Sequence, residues 1–303
     1  MIVRPTLHWL RMLFVLRGSV LPIITPQLLA ATGFATVVTA LHGFILDWKV
    51  SLNFVPFSLI GLTLAIFLGF RNSTSYARYW EARTLWGVVL IETRNLMRNA
   101  RVLSRNPDAA HALAPRLCAF AHAMRHQLRR TDPRADLLLF LSPEETQRVA
   151  RSPSPANMTV VMAGEWLGER VRDADIEPAI VPSFDRSLSG LTAALGGCER
   201  IANTPIPFTY SVIIHRCIYL YCFWLPFGLL DAIGPMTPVI VCFIAYTFFA
   251  LEALGAQIED PFGTAPNDLP LEHMAHTIEA GVLEMVDELP RTQAPRIKDF
   301  VLL

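Results

Sequence analysis

The sequence predicts an all-α integral membrane protein with four transmembrane helices and a cytosolic helical bundle, and three observations lead there. Of the 303 residues 52% are hydrophobic and only 17% charged, with a mean hydropathy of +0.38, outside the habit of soluble globular chains. The charges are segregated: none lies between Gly18 and Leu46, Val50 and Phe70, Cys217 and Leu230, or Ala232 and Leu251. Between Arg71 and His215 the composition is that of a soluble protein, with helical spacing and neither βαβ alternation nor a strand run.

The first uncharged stretch follows Arg4, Arg11 and Arg17. At about 29 residues it is too long for the apolar core of a signal peptide, and no small-x-small cleavage site follows, so it reads as an anchor that stays. The second stretch, about 21 residues from Val50, is long enough to cross the roughly 30 Å hydrocarbon core as a helix. No proline stops it before Arg71-Asn72-Ser73-Thr74-Ser75-Tyr76-Ala77-Arg78-Tyr79-Trp80-Glu81-Ala82-Arg83, so one helix leaves the membrane and enters water carrying arginines and aromatics. The third stretch is uncharged over only about 14 residues and spans only if its helix begins near Pro207, with Arg216 snorkelling to an interface. The fourth is ample at about 20. Four spans put both termini on one side. Arginines before the first and after the second, against Asp47 and Lys49 in the hairpin between, make that side cytoplasmic. The implied division is 1–70 for the N-terminal helix and first two spans, 71–204 for the cytosolic region, 205–251 for the last two spans and 252–303 for a cytosolic C-terminal segment.

Within the cytosolic region, Val89, Leu90, Thr93, Leu96 and Met97 keep helical spacing, and Leu113, Leu117, Phe120, Ala121 and Met124 repeat it. Ser142-Pro143-Glu144-Glu145 has the form of a capping box. Ser152-Pro153-Ser154-Pro155 is a loop before a helix from Met158 to Arg172. Pro178-Ala179-Ile180-Val181-Pro182 is a break, and Phe184 to Asn203 resumes helix.

Chemistry is sparse. A formal net charge of zero and no long basic stripe argue against nucleic acid as a partner. Five cysteines without CxxC spacing read as small buried hydrophobes in a reducing compartment. His122 and His126 stand at i, i+4, but HAMRH lacks the glutamate of a zincin helix, and they read as two partly exposed histidines; His273 and His276 read likewise. Leu195-Gly196-Gly197-Cys198 suits close helix packing better than a phosphate cradle. There is no GxSxG, GxGxxG or P-loop, so an enzyme is poorly supported and no cofactor is implied. Arg78 and Glu81, at i, i+3, can pair along the helix. Arg78, Tyr79, Trp80, Glu81 and Arg83 are assigned to assembly or an interface, with Tyr76, Tyr79 and Trp80 suiting an interfacial belt. Leu62, Ile66 and Phe70, spaced by four, form one apolar stripe about 12 Å tall. Such a stripe faces lipid or a neighbouring span, or, in a symmetric oligomer, turns inward as stacked apolar rings that gate ions by dewetting.

The run from Gly69 to Arg83 resembles the bestrophin family, particularly its bacterial branch. So do Arg4-Pro5-Thr6 to Gly18-Ser19-Val20-Leu21-Pro22, Thr204-Pro205-Ile206-Pro207-Phe208-Thr209-Tyr210, and Glu259-Asp260-Pro261-Phe262-Gly263-Thr264 through Asn267-Asp268-Leu269-Pro270. Their order and spacing cover nearly the whole chain, with departures at Tyr79 and Ala265. The resemblance implies a homopentameric ion channel in a bacterial inner membrane, its neck lined by Leu62, Ile66 and Phe70 and its cytosolic aperture by Ile180. It further implies passive conduction of monovalent ions, cations such as sodium in the bacterial branch and anions in the animal one. Asp260, Asn267 and Asp268 resemble the calcium clasp of the animal channels and could supply hard oxygen ligands. Ala265 removes one carboxylate from that pattern, and a helix-ending turn is the preferred reading. The rival functions are a chloride channel of the same family and a coupled transporter, which should show charged residues or broken helices within its spans.

Overall fold

The computed structural model describes residues 1–5, 8–16, 18–45, 48–49 and 52–303. Arg17, Leu46, Asp47 and Val50, which entered the reading of the first two spans, lie outside them. In chain order the elements are α1 (Trp9–Met12), α2 (Leu21–Ala40), strands β1 (Phe44–Ile45) and β2 (Trp48–Lys49), α3 (Phe54–Leu103), α4 (Ala109–Arg129), α5 (Arg134–Leu137), α6 (Pro143–Ala150), α7 (Pro155–Arg172), α8 (Val181–Asn203), α9 (Phe208–Ile233), α10 (Thr237–Glu259) and α11 (Leu271–Glu284). The small antiparallel hairpin, Phe44 opposite Lys49 and Ile45 opposite Trp48, has no counterpart in the sequence reading, because two residues per strand leave no alternation to detect.

The chain divides into two compact units, Arg4–Arg78 with Pro205–Asp260, and Met1–Val3 with Tyr79–Thr204 and Pro261–Leu303. Among the described residues three helical lengths are long and apolar enough to cross a membrane: Leu21–Ala40, Val55–Leu103 and Phe208–Glu259. All three begin or lie in the first unit. The last is broken at Gly234, whose φ of 54° suits a residue without Cβ and opens a 3-10 turn to Met236. There the chain reverses. Tyr219 meets Phe249, Tyr221 meets Phe248, and His215 Nδ1 lies 3.3 Å from Glu252 Oε1, the falling and rising numbers of an antiparallel pair. The helix from Pro207 that the third stretch required is therefore present as α9, 26 residues long with Arg216 exposed within it. The apolar core of this unit joins Ile24 and Ala35 of α2, Leu64 and Leu68 of α3, Ile218 and Leu225 of α9, and Val241 and Phe248 of α10. Gly61 lets α3 and α9 touch, since a Cβ there would stand 2.8 Å from the Tyr221 hydroxyl.

The second unit is a bundle on Trp86, Leu113, Leu117, Phe120, Met124, Trp166 and Phe184, all buried. The periodic residues of α4 face inward as their spacing predicts. Ser142 and Glu145 close the capping box of α6. Pro178–Ile180 forms one 3-10 turn that runs directly into α8. Gly197 packs against Leu85, with a Cβ there only 2.7 Å from Leu85 Cδ1, so the glycine pair serves helix packing. The two ends of the chain meet in this unit: Val3 donates to Phe300 O at 2.8 Å, Leu302 to Met1 O at 2.8 Å, and His273 to Leu303 O at 3.0 Å.

Candidate pore neck and aperture

Asn53 starts α3, its Oδ1 accepting the Val55 N–H at 3.0 Å. From there α3 is held by one narrow seam, Phe57, Leu64, Leu68, Arg71 and Ser75, all buried. Leu62, Ile66 and Phe70 are 61%, 51% and 64% exposed. At about 100° of turn per residue their common direction lies about 180° from the seam, so the stripe points directly away from the rest of its own unit. Leu64, which the spacing alone leaves as a lipid-facing neighbour of the stripe, is instead a core residue, 5% exposed. Below Phe70 the same outward face continues through Ser73, Thr74 and Ala77, all exposed and uncharged.

Arg71 is 4% exposed and stands between two carboxylates, 3.6 Å from Glu252 and 3.4 Å from Glu259. A guanidinium buried to that degree requires such partners, because desolvating an unpaired charge is prohibitive. Glu259, at the end of α10, also accepts the Ile206 N–H at 3.3 Å, and its carbonyl accepts Arg78 Nε at 3.1 Å. The arginines that leave the apolar run are thus used to bind α3 to α10.

Glu81 takes Arg200 at 2.6 Å, a half-exposed pair. Tyr79 packs on the bundle core, while Trp80 is exposed with the Arg83 guanidinium 5.7 Å from its ring centre. Ile180 is half-buried against the same core at the mouth of α8, its carbonyl accepting the Ser183 hydroxyl at 2.8 Å. Beside it Glu177 pairs with Arg105, and Asp175 with Arg170 at 2.9 Å. Asp260 closes α10, and Asp268, buried, accepts the Ala265 N–H at 2.7 Å through Oδ2, a turn-making bond. Among the described residues no group of three or more His, Cys, Asp or Glu side chains is placed to hold a metal ion.

Two readings need correction. Cys118, Cys198 and Cys222 are buried, but Cys217 is exposed and Cys242 half-buried. His122 is not partly exposed: it is 1% exposed and its Nε2 lies 3.0 Å from Glu279 Oε2. Glu279, fully buried, also accepts the Thr292 hydroxyl and the N–H groups of Arg291 and Thr292. Burial pushes its carboxyl up, but these donors outweigh burial and hold it at about 2. His126 Nε2 meets Asp136 at 2.9 Å and Arg125 pairs with the same carboxylate. The hydrogen bond with His126, more than the opposing burial or the nearby Arg125, lowers the Asp136 carboxyl.

Comparison with known proteins agrees with this architecture. Residues 1–284 match the family model described as bacterial/fungal bestrophin protein. A Ralstonia nicotianae protein named as voltage-dependent anion channel-forming is 47% identical over 305 residues, covering 100% of each chain. An Escherichia coli protein of the same descriptive name is 44% identical over 293 residues, 95% of each chain. The crystal structure of a bacterial bestrophin homologue from Klebsiella pneumoniae superposes with a TM-score of 0.85 at 41% identity, covering 88% of this chain and 100% of that one. With a family model spanning nearly its whole length and full-length relatives well above 30% identity, the chain belongs to the bacterial and fungal bestrophins.

Proposed function

We propose that the chain is a passive ion channel of four membrane spans per subunit, assembled as a ring of five about an axis that the stripe faces. The observation that carries it is the direction of Leu62, Ile66 and Phe70. Three large apolar side chains in register, turned fully away from their own unit, have a gating role only where other copies bring the same stripe to a common axis, as rotational symmetry does. Leu62, Ile66 and Phe70 are then the neck, Ile180 the cytosolic aperture, and Arg78, Tyr79, Trp80, Glu81 and Arg83 belong to the assembly region below the neck. Asp260, Asn267 and Asp268 serve the turn after α10. Pairing of the two chain ends supports placing both termini on one side, the cytoplasmic side of a bacterial inner membrane by the arginine distribution.

The ion is monovalent, with cations ahead of chloride. Burial of Arg71 between Glu252 and Glu259 supports this, since the first cation beneath the stripe is unavailable to a passing anion. A second reading, anion conduction, is favoured by the names of the Ralstonia and Escherichia relatives. Native mass spectrometry of the detergent-solubilised protein tests the ring. A closed oligomer of five is expected, and a monomer under conditions that preserve the fold would remove the pore.

A further inference from the structure

Residues 8–16 carry an apolar surface that nothing in the channel reading uses. Trp9, Leu10, Met12, Leu13, Phe14 and Leu16 are between 47% and 81% exposed, and α1 buries no residue at all. A span presents such side chains to lipid tails, but this segment is not part of α2. Gly18, at a φ of 82°, turns the chain between them, and Ser19 Oγ accepts the Leu21 N–H at 3.2 Å to start α2 afresh. The charge is one-sided. No acidic residue occurs before Asp47, whereas Arg4, His8, Arg11 and Arg17 all fall in the first 17 positions. Arg11 stands exposed among the apolar side chains.

A short, acid-free, arginine-bearing segment with tryptophan and large aliphatics, set next to the start of a span, has the composition of an interfacial membrane anchor. We propose that residues 8–16 dock on the membrane surface, with Arg11 on anionic headgroups and Trp9, Leu13 and Phe14 in the acyl boundary. The occupant is an anionic lipid surface rather than a second copy of the segment, because that copy would set arginine against arginine with no carboxylate between them. The contact would make the anchoring of α2 sensitive to leaflet charge, independently of which ion the pore carries.

Hydrogen–deuterium exchange of the full-length protein tests this in three settings: nanodiscs of phosphatidylcholine alone, nanodiscs of phosphatidylcholine mixed with phosphatidylglycerol, and a neutral detergent. Amides of residues 8–16 should exchange about fivefold more slowly in the mixed nanodiscs, the size expected of roughly one basic side chain near an anionic surface. Arg11→Glu should remove most of that difference, and the milder Arg11→Gln part of it, with exchange in α4 unchanged. Equal protection in all three settings would assign the cover to protein. Equal protection in both nanodiscs but not in detergent would leave apolar insertion without headgroup recognition, and exposure in all three would leave no docking; each overturns the proposal.

Discussion

Glu279 shows what a single position can hide. In sequence it is one acid in a helix of ordinary composition; in the fold it is a buried anion with four donors, one of them His122, 157 residues away. Glu279→Gln keeps the shape but turns one acceptor into a donor facing donors. Leaving buried donors without an acceptor costs roughly 1–3 kcal/mol, so the melting temperature of the protein should fall clearly. A fluorescence melt in detergent unchanged from the parent would mean that the carboxylate is not held as a buried anion. The pH dependence has a definite sign. An acid with an ordinary value of 4.5 held at about 2 in the fold contributes stability fully above pH 4.5, and that contribution is lost as pH falls from 4.5 towards 2. Asp136, also lowered, acts in the same direction. The Gln variant should therefore lose less stability than the parent across that window. The i, i+4 spacing of His122 and His126 marked the helix but not the depth of His122, because the partner that makes burial tolerable comes from α11 and the chain after it.

At the scale of elements, most boundaries were legible because their causes are local. Ser142 and Glu145 announce α6, Pro207 sets the start of α9, and the missing proline after Phe70 lets α3 run for 50 residues. The direction a helix faces was not legible. Leu62 and Leu64 are the same residue two positions apart, and only tertiary contact makes one a core residue and the other an outward one. That difference gives a sharp test of the neck. Ile66→Ala in every copy should widen and partly wet an apolar ring, raising single-channel current without loss of assembly. Leu29→Ala, a truncation at an exposed position of α2, should leave the current at the parent level. Leu64→Ala should act through the fold, costing roughly 2–5 kcal/mol as a core truncation, without a comparable gain in current. Parent-like current from both Ile66→Ala and Leu29→Ala would place the pore on another face of α3.

For the whole molecule, the question is what a passing ion meets. The stripe offers methyl, methylene and ring groups, and the outward face beyond it offers Ser73, Thr74 and Ala77, so this stretch of the outward face of α3 carries no fixed charge. Segregated charge made the membrane class legible and four motifs the family, but not this neutrality. The run Gly69 to Arg83 is dense in arginine, and the sequence does not show which carboxylates or carbonyls Arg71 and Arg78 meet. The fold withdraws them: Arg71 lies on the seam between Glu252 and Glu259, and Arg78 donates to the end of α10. In the proposed pore an anion would cross the neck with no cation to replace its lost hydration, and the pairing of Glu177 with Arg105 and of Asp175 with Arg170 would leave only a weak field at the proposed aperture. Modest preference for monovalent cations is the expected result. In planar bilayers under a sodium chloride gradient, the reversal potential should shift towards that of sodium without reaching it, and Glu252→Gln, which loosens the clamp on Arg71, should move it towards chloride. A reversal potential that already follows chloride in the parent would instead place this channel with its relatives named for anions, and would require an arginine other than Arg71 to reach the ion path.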